Sequence, residues 1–152
     1  MGQSLHNYSV HLKDLIDKVE LTQAEHMDKA AQLIVEAIEH GHSIFAFGAS
    51  HAGMLSMELF YRTGGLVNIN PIFAADLMSN IRPATLTSDI ERLEGYGTLI
   101  LRNTNIKAGD VLILHSVSGR NAVTIDMGLE AKKLGIKVIV ITNLMYTNLV
   151  TS

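Results

Sequence analysis

Apolar residues recur at three- and four-residue intervals through roughly the first forty positions, then give way to short unbroken runs. Leu5, Tyr8, Leu12, Leu15, Ile16 and Val19 mark one face of a helix over residues 5 to about 19. Thr22 opens Thr-Gln-Ala-Glu, a capping box in which Glu25 can reach back to the cap backbone, so a second helix is expected there. Met27, Ala30, Ala31, Leu33, Ile34 and Ile38 line it, and Gly41 ends it with His40 in the last turn. Beyond Ser43 the texture changes. Ile44–Phe47 reads as a strand, followed by Gly48-Ala49-Ser50-His51 and a helix to about Gly64. Leu66–Phe73 reads as a second strand that stops before Asp76. Ser88 can cap a helix through Ile90 and Leu93, continuing past Gly95 toward Ile100 against two internal glycines. Val111–Leu114 is the clearest strand. It leads through HSVSGRN into a helix from about Ala122 to Leu134, closed by Gly135, and Val138–Thr142 is a further strand.

Strands alternating with helices predict an α/β fold with a parallel sheet covered on both faces. The division expected is a helical pair over 1–42, packing on or extending an α/β domain over 43–152. Only ten residues follow Thr142, too few for the helix and strand such a sheet usually adds. The expectation is therefore a chain truncated at its C-terminus, or a last edge strand covered by another subunit.

Composition narrows the function classes. A chain of 152 residues, 47% of them hydrophobic, supports one continuous core and excludes intrinsic disorder. Charged residues make up only 18%, which suggests that a partner covers some of the surface. A net charge of −3 without a basic stripe gives no footprint for nucleic acid. The absence of cysteine excludes disulfides, thiolate metal sites and Cys nucleophiles. MGQSLHNYSVHLKD lacks the profile of a signal peptide and no apolar run reaches ~20 residues, so a cytoplasmic protein off the membrane is expected. His40 and His42 resemble a metal pair, but a helix end followed by Gly41 suits a histidine beside the negative pole of the helix better.

The strands ending at Phe47 and Leu114 both feed a turn rich in Ser and Gly that opens a helix. Ligands of open parallel sheets bind at the carboxyl ends of strands, at a switch in strand order. Unpaired N–H groups and the helix dipole favour an anion there; serine hydroxyls add donors and glycine permits close approach. Gly48, Ser50 and His51 occupy the first turn; Ser116, Ser118, Gly119 and Asn121 the second. Three competing motifs fail. GxSxG needs glycine where Ala52 stands, GxGxxG needs it at Ala46, and no Gly-Lys-Ser/Thr occurs. A phosphorylated metabolite is the economical reading.

FGASHAGMLSMELFYRTGG with VNINPIFAADL resembles the first half of a sugar isomerase (SIS) domain. GDVLILHSVSGRNAVTIDMGLEAKKLGIKVIVIT resembles its second half, including the Ser-x-Ser-Gly-x-Thr phosphate loop, and the likeness covers roughly residues 43–142. Similarity extends through ERLEGYG to stand-alone bacterial SIS proteins, related in kind to phosphoheptose isomerases and N-acetylmuramate 6-phosphate etherases. The resemblance implies a flavodoxin-like α/β/α sandwich, a homodimer or homotetramer, and a sugar phosphate bound at a subunit interface. It puts Ser116, Ser118 and Asn121 on the phosphate loop, Asn121 replacing the usual threonine, and Ser50 on the hydroxyl position of the first turn beside Gly48. The zinc-binding histidine of the heptose isomerases falls on Met54, four residues before Glu58, so no metal and no other cofactor is expected.

Isomerisation or elimination next to a carbonyl needs a base. Glu58, His51 and Glu91 are the candidates carried forward, with Asp76, Glu94 and His115 behind them. Each has a plainer role available: Glu58 can pair with Arg62 on a helix face, Glu91 can be solvated, and His51 can serve binding alone. The functional expectation is a sugar-phosphate isomerase or related lyase; the rival is a non-catalytic phosphosugar-sensing module.

Overall fold

The computed structural model describes residues 2–149. The chain divides into two units, residues 1–35 and 36–152. A single helix, α1, runs Gln3–Glu39, where the sequence pattern predicts a helical pair. Neither Gly nor Pro interrupts the stretch between the two expected helices. Thr22 is not a cap: its hydroxyl donates to the carbonyl of Lys18 at 2.8 Å, the back-bond of a threonine inside a helix. Glu25, expected to close a capping box, pairs with Lys29 at 2.6 Å instead. Within the first unit Leu5, Tyr8, Leu12, Leu15, Ile16 and Val19 are all exposed.

The second unit carries a four-stranded parallel sheet built from β1 (Ile44–Gly48), β2 (Ile69–Pro71), β3 (Val111–His115) and β4 (Lys137–Ile141). Their order is β2-β1-β3-β4. Around it lie α2 (Gly53–Leu59), a 3-10 turn (Ala75–Leu77), α3 (Leu86–Ile90), α4 (Tyr96–Arg102), α5 (Ala122–Lys133) and α6 (Leu144–Leu149). The α/β class and parallel sheet match expectation. Three boundaries do not. The helix after the first turn stops at Leu59 rather than Gly64, and Tyr61 takes φ 46° just beyond it. The second strand keeps only three paired residues of its expected run. The helix expected from Ser88 to Ile100 is broken in two, because Gly95 at φ 82° turns the chain before α4.

Every second residue of the central strands enters the main core. Phe45, Phe47, Leu112 and Leu114 pack with Leu101 of α4 and Val123, Met127 and Ala131 of α5. The alternate residues Ile44, Ala46 and Val111 are equally buried. At the edge strand β4, Val140 and Ile141 remain half exposed. Two buried acids hold this frame. Asp110 accepts the backbone N–H groups of Ser43 and Lys107 at 2.9 and 2.8 Å, so it ties together the entries to β1 and β3. Glu130 of α5 accepts Arg102 Nε at 2.8 Å and Lys133 Nζ at 3.3 Å.

The Arg102 hydrogen bond holds the Glu130 carboxyl below its ordinary value of 4.5; burial opposes this and Lys133 assists. A carboxyl depressed in the folded state contributes stability that is present above the unfolded value and lost as pH falls through the folded one. The difference in thermal midpoint between wild type and Glu130→Gln should thus be full at neutral pH and shrink below about pH 4.5. A pH-independent difference would show that Glu130 contributes nothing through its charge.

Candidate functional site

β1 and β3 lie side by side with Gly48 in register with His115, while β2 and β4 flank them on opposite sides. Strand order therefore reverses between β1 and β3, and both strands end there in the two turns singled out from the sequence. In the first turn a Cβ on Gly48 would lie 2.4 Å from the carbonyl oxygen of Ala52, so the chain can fold back this closely only over glycine. Ser50 takes φ 53° and donates its N–H to the carbonyl of Leu77 at 2.6 Å. Its hydroxyl makes no hydrogen bond among the described residues. His51, beside it, is exposed.

The second turn is organised by its own hydroxyls. Ser116 is buried, and its Oγ accepts the N–H of Gly119 at 3.1 Å, which leaves its proton to donate outward. Gly119 permits the bend at φ 64°. Ser118 Oγ accepts the N–H of Arg120 at 3.3 Å. Asn121 is the N-cap of α5: its amide oxygen accepts the N–H of Thr124 at 3.2 Å, leaving the Nδ2 group as its donor. The carbonyl of Glu91 accepts the N–H of Val123 at 3.2 Å. Two donors of the first turn of α5 are thus committed within the protein. An anion here would meet serine hydroxyls and loop N–H groups more than the helix start that the sequence suggested.

The two turns are joined. His115 Nδ1 lies 2.9 Å from the carbonyl oxygen of Ala52. A carbonyl can only accept, so Nδ1 carries a proton and Nε2 is the nitrogen left outside this bond.

Between the turns opens a cleft of about 590 Å³, within the range of small-molecule sites. It gathers Ser50 and His51 from the first turn, Ser116, Ser118 and Asn121 from the second, and Glu91 from the segment after α3. Glu91 is half-buried, and its carboxylate has no partner among the described residues. Gly48 and Gly119 shape the two turns rather than line the cleft. Glu58 lies elsewhere, on the exposed face of α2 in an ion pair with Arg62, the plainer role open to it from spacing. Asp76 is also taken up: it accepts the hydroxyl of Tyr96, and that bond, aided by burial, pushes the Tyr96 phenol above its ordinary range. His40 Nδ1 bonds the carbonyl of Glu36 at 2.7 Å in the last turn of α1.

Sequence reasoning gave no functional role to four polar residues of the cleft: Ser88, Arg92, Arg120 and Tyr146. Arg120 stands inside the quoted HSVSGRN and could have been found by asking which cations flank a phosphate loop. Ser88 and Arg92 flank the candidate Glu91 in sequence, whereas Tyr146 comes from a distant segment that only the fold brings to the cleft.

The family model described as SIS domain matches residues 7–143. A UPF0309 protein of Shouchella clausii is 51% identical over 141 residues, spanning 93% of this chain and 56% of that protein. One from Oceanobacillus iheyensis is 46% identical over 145 residues, 95% of this chain and 59% of its own length. The chain thus spans somewhat more than half the length of these relatives. Among solved structures, the phosphoheptose isomerase GmhA from Neisseria gonorrhoeae superposes with a TM-score of 0.66 at 19% identity, covering 92% of this chain and 75% of that one. A phosphoheptose isomerase from Francisella tularensis gives 0.64 at 17% identity, over 93% and 75%. At these identities the likeness is one of fold, and it agrees with the four-stranded parallel sheet and its helices. No described helix is long and apolar enough to cross a membrane. Matched along almost its whole length, the chain belongs to the SIS domain family.

Proposed function

We propose that the cleft between the two turns binds a sugar phosphate, and that the protein acts on it as an isomerase or related lyase by moving a proton next to a carbonyl. The observation that carries this reading is the pairing of two hydroxyl-bearing turns at the switch in strand order, around a single cleft that also holds an unpartnered carboxylate. The phosphate contacts are assigned to Ser116, Ser118 and the Asn121 amide, with Ser50 on the facing turn. Glu91 is the base: it lines the cleft and has no competing ion pair among the described residues. His51 is the second proton carrier; Glu58, paired outside the cleft, has no part in this scheme. The fold shared with two phosphoheptose isomerases supports the chemistry. A homodimer or homotetramer belongs to the same reading, supported by the exposed apolar side chains of α1 and β4.

The exposure of His51 favours the rival reading of a site that binds without reacting. One experiment separates the two. Thermal shifts are measured against a panel of sugar phosphates, then hydrogen exchange at C2 is followed by NMR for each binder. Ser116→Ala with Ser118→Ala should weaken binding at least about a hundredfold, since two hydrogen bonds to a charged group are lost, while leaving the fold intact. Glu91→Gln should retain binding and lose exchange. Exchange absent from wild-type protein that binds would establish the sensing module. Undiminished affinity in the double serine variant would place the phosphate elsewhere.

A further inference from the structure

Five arginines occur in the chain, and their settings differ. Arg62 and Arg102 are paired with Glu58 and Glu130. Arg82 donates to the carbonyl of Ile81 at 3.0 Å. Arg92 and Arg120 have no side-chain partner among the described residues, and both line the cleft. Arg120 directly precedes the N-cap of α5 and belongs to the serine turn, where its charge complements a phosphate. Arg92 comes from another element. It follows Glu91 after α3, and the Glu91 carbonyl bonded to the N–H of Val123 fixes this segment against the first turn of α5. Ser88, inside the adjoining α3, lines the same cleft.

This third segment presents a guanidinium, a hydroxyl and a carboxylate. The hydroxyl groups of a neutral sugar are matched by uncharged donors and acceptors such as the hydroxyls of Ser88 and Tyr146, which line the same cleft, and do not call for a cation. A guanidinium is a planar fork of donors suited to a carboxylate or phosphate. Set beside Glu91, it also offsets the repulsion that carboxylate would exert on an anionic ligand. We infer that Arg92 holds a second anionic group of the ligand, separate from the phosphate at the Ser116–Asn121 turn, so that the substrate class is a sugar phosphate bearing a further carboxylate or phosphate. This rests on the phosphosugar reading of the same cleft.

Calorimetric titration at low salt with glucose 6-phosphate, 6-phosphogluconate and fructose 1,6-bisphosphate tests it. At least one doubly anionic ligand should bind about tenfold tighter than glucose 6-phosphate, the worth of one charge-assisted contact. Which of the two gains identifies the second group as carboxylate or phosphate. Arg92→Ala should erase that advantage while leaving glucose 6-phosphate within about twofold, as expected for removal of an exposed charge. Arg92→Lys should restore only part of it, because lysine lacks the fork. Ser116→Ala with Ser118→Ala should weaken all three ligands alike. If glucose 6-phosphate binds and neither doubly anionic ligand binds tighter, or if the advantage survives Arg92→Ala, the inference fails and the phosphosugar reading stands. If none of the three binds while another sugar phosphate with a single anionic group does, the inference fails and the phosphosugar reading stands; only silence across the whole panel ends both.

Discussion

Gly97→Ala is expected to destabilise the fold by at least about 2 kcal/mol, out of the roughly 5–15 kcal/mol that hold a domain together. The position lies in α4, where alanine would ordinarily gain about 1 kcal/mol over glycine through helix propensity. Contact overrides that gain. A Cβ on Gly97 would lie 1.9 Å from the carbonyl oxygen of Val123 and 2.9 Å from the N–H nitrogen of Met127, both backbone atoms of α5. No rotamer can relieve a clash with backbone, so the two helices must move apart. Leu101, Val123 and Met127 would then lose the packing that seals the core over β1 and β3. Gly128→Ala makes the control, since its Cβ would meet only the Leu114 Cδ1 at 3.2 Å. Urea unfolding should find Gly128→Ala within about 1 kcal/mol of wild type. Equal stability of Gly97→Ala and wild type would mean that α4 and α5 do not approach as described.

Gly48→Ala is expected to cost both stability and ligand. Its Cβ would lie 2.4 Å from the Ala52 oxygen, 2.5 Å from the Ala52 carbonyl carbon and 2.8 Å from the Gly53 nitrogen, so the turn between them must be pushed outward. That turn carries Ser50 and His51, and its Ala52 carbonyl anchors His115. A stability loss of about 2 kcal/mol is expected. Sugar-phosphate affinity should fall at least about tenfold in protein that is still folded, because Ser50 leaves its place. Circular dichroism and titration on the same sample distinguish the two effects. Full affinity in a folded Gly48→Ala would remove the first turn from the site.

The α/β plan was legible because the central strands are nearly all apolar and each helix that covers them follows a Ser- or Gly-marked turn. The serine turns were legible for the same local reason. What could not be read was decided by contacts between distant segments. Gly95 and Gly97 look alike as helix breakers, yet one supplies a left-handed bend and the other a close approach to α5. Thr22 carries a cap signature, but nothing before it stops α1, so its hydroxyl turns back to Lys18. Glu58 and Glu91 are the same residue type, and local sequence does not tell them apart. One finds Arg62 a turn away, and the other is carried to the cleft through a carbonyl bonded to α5.

The bond between His115 and the Ala52 carbonyl has a thermodynamic consequence. Two loops that moved independently would each lose conformational entropy when a ligand bridged them. Here that ordering is completed during folding, so a ligand meets walls already spaced for it and more of its contact energy appears as affinity. The bond thereby links the end of β3, where the serine turn begins, to the far side of the first turn, so a displacement of either turn is carried to the other.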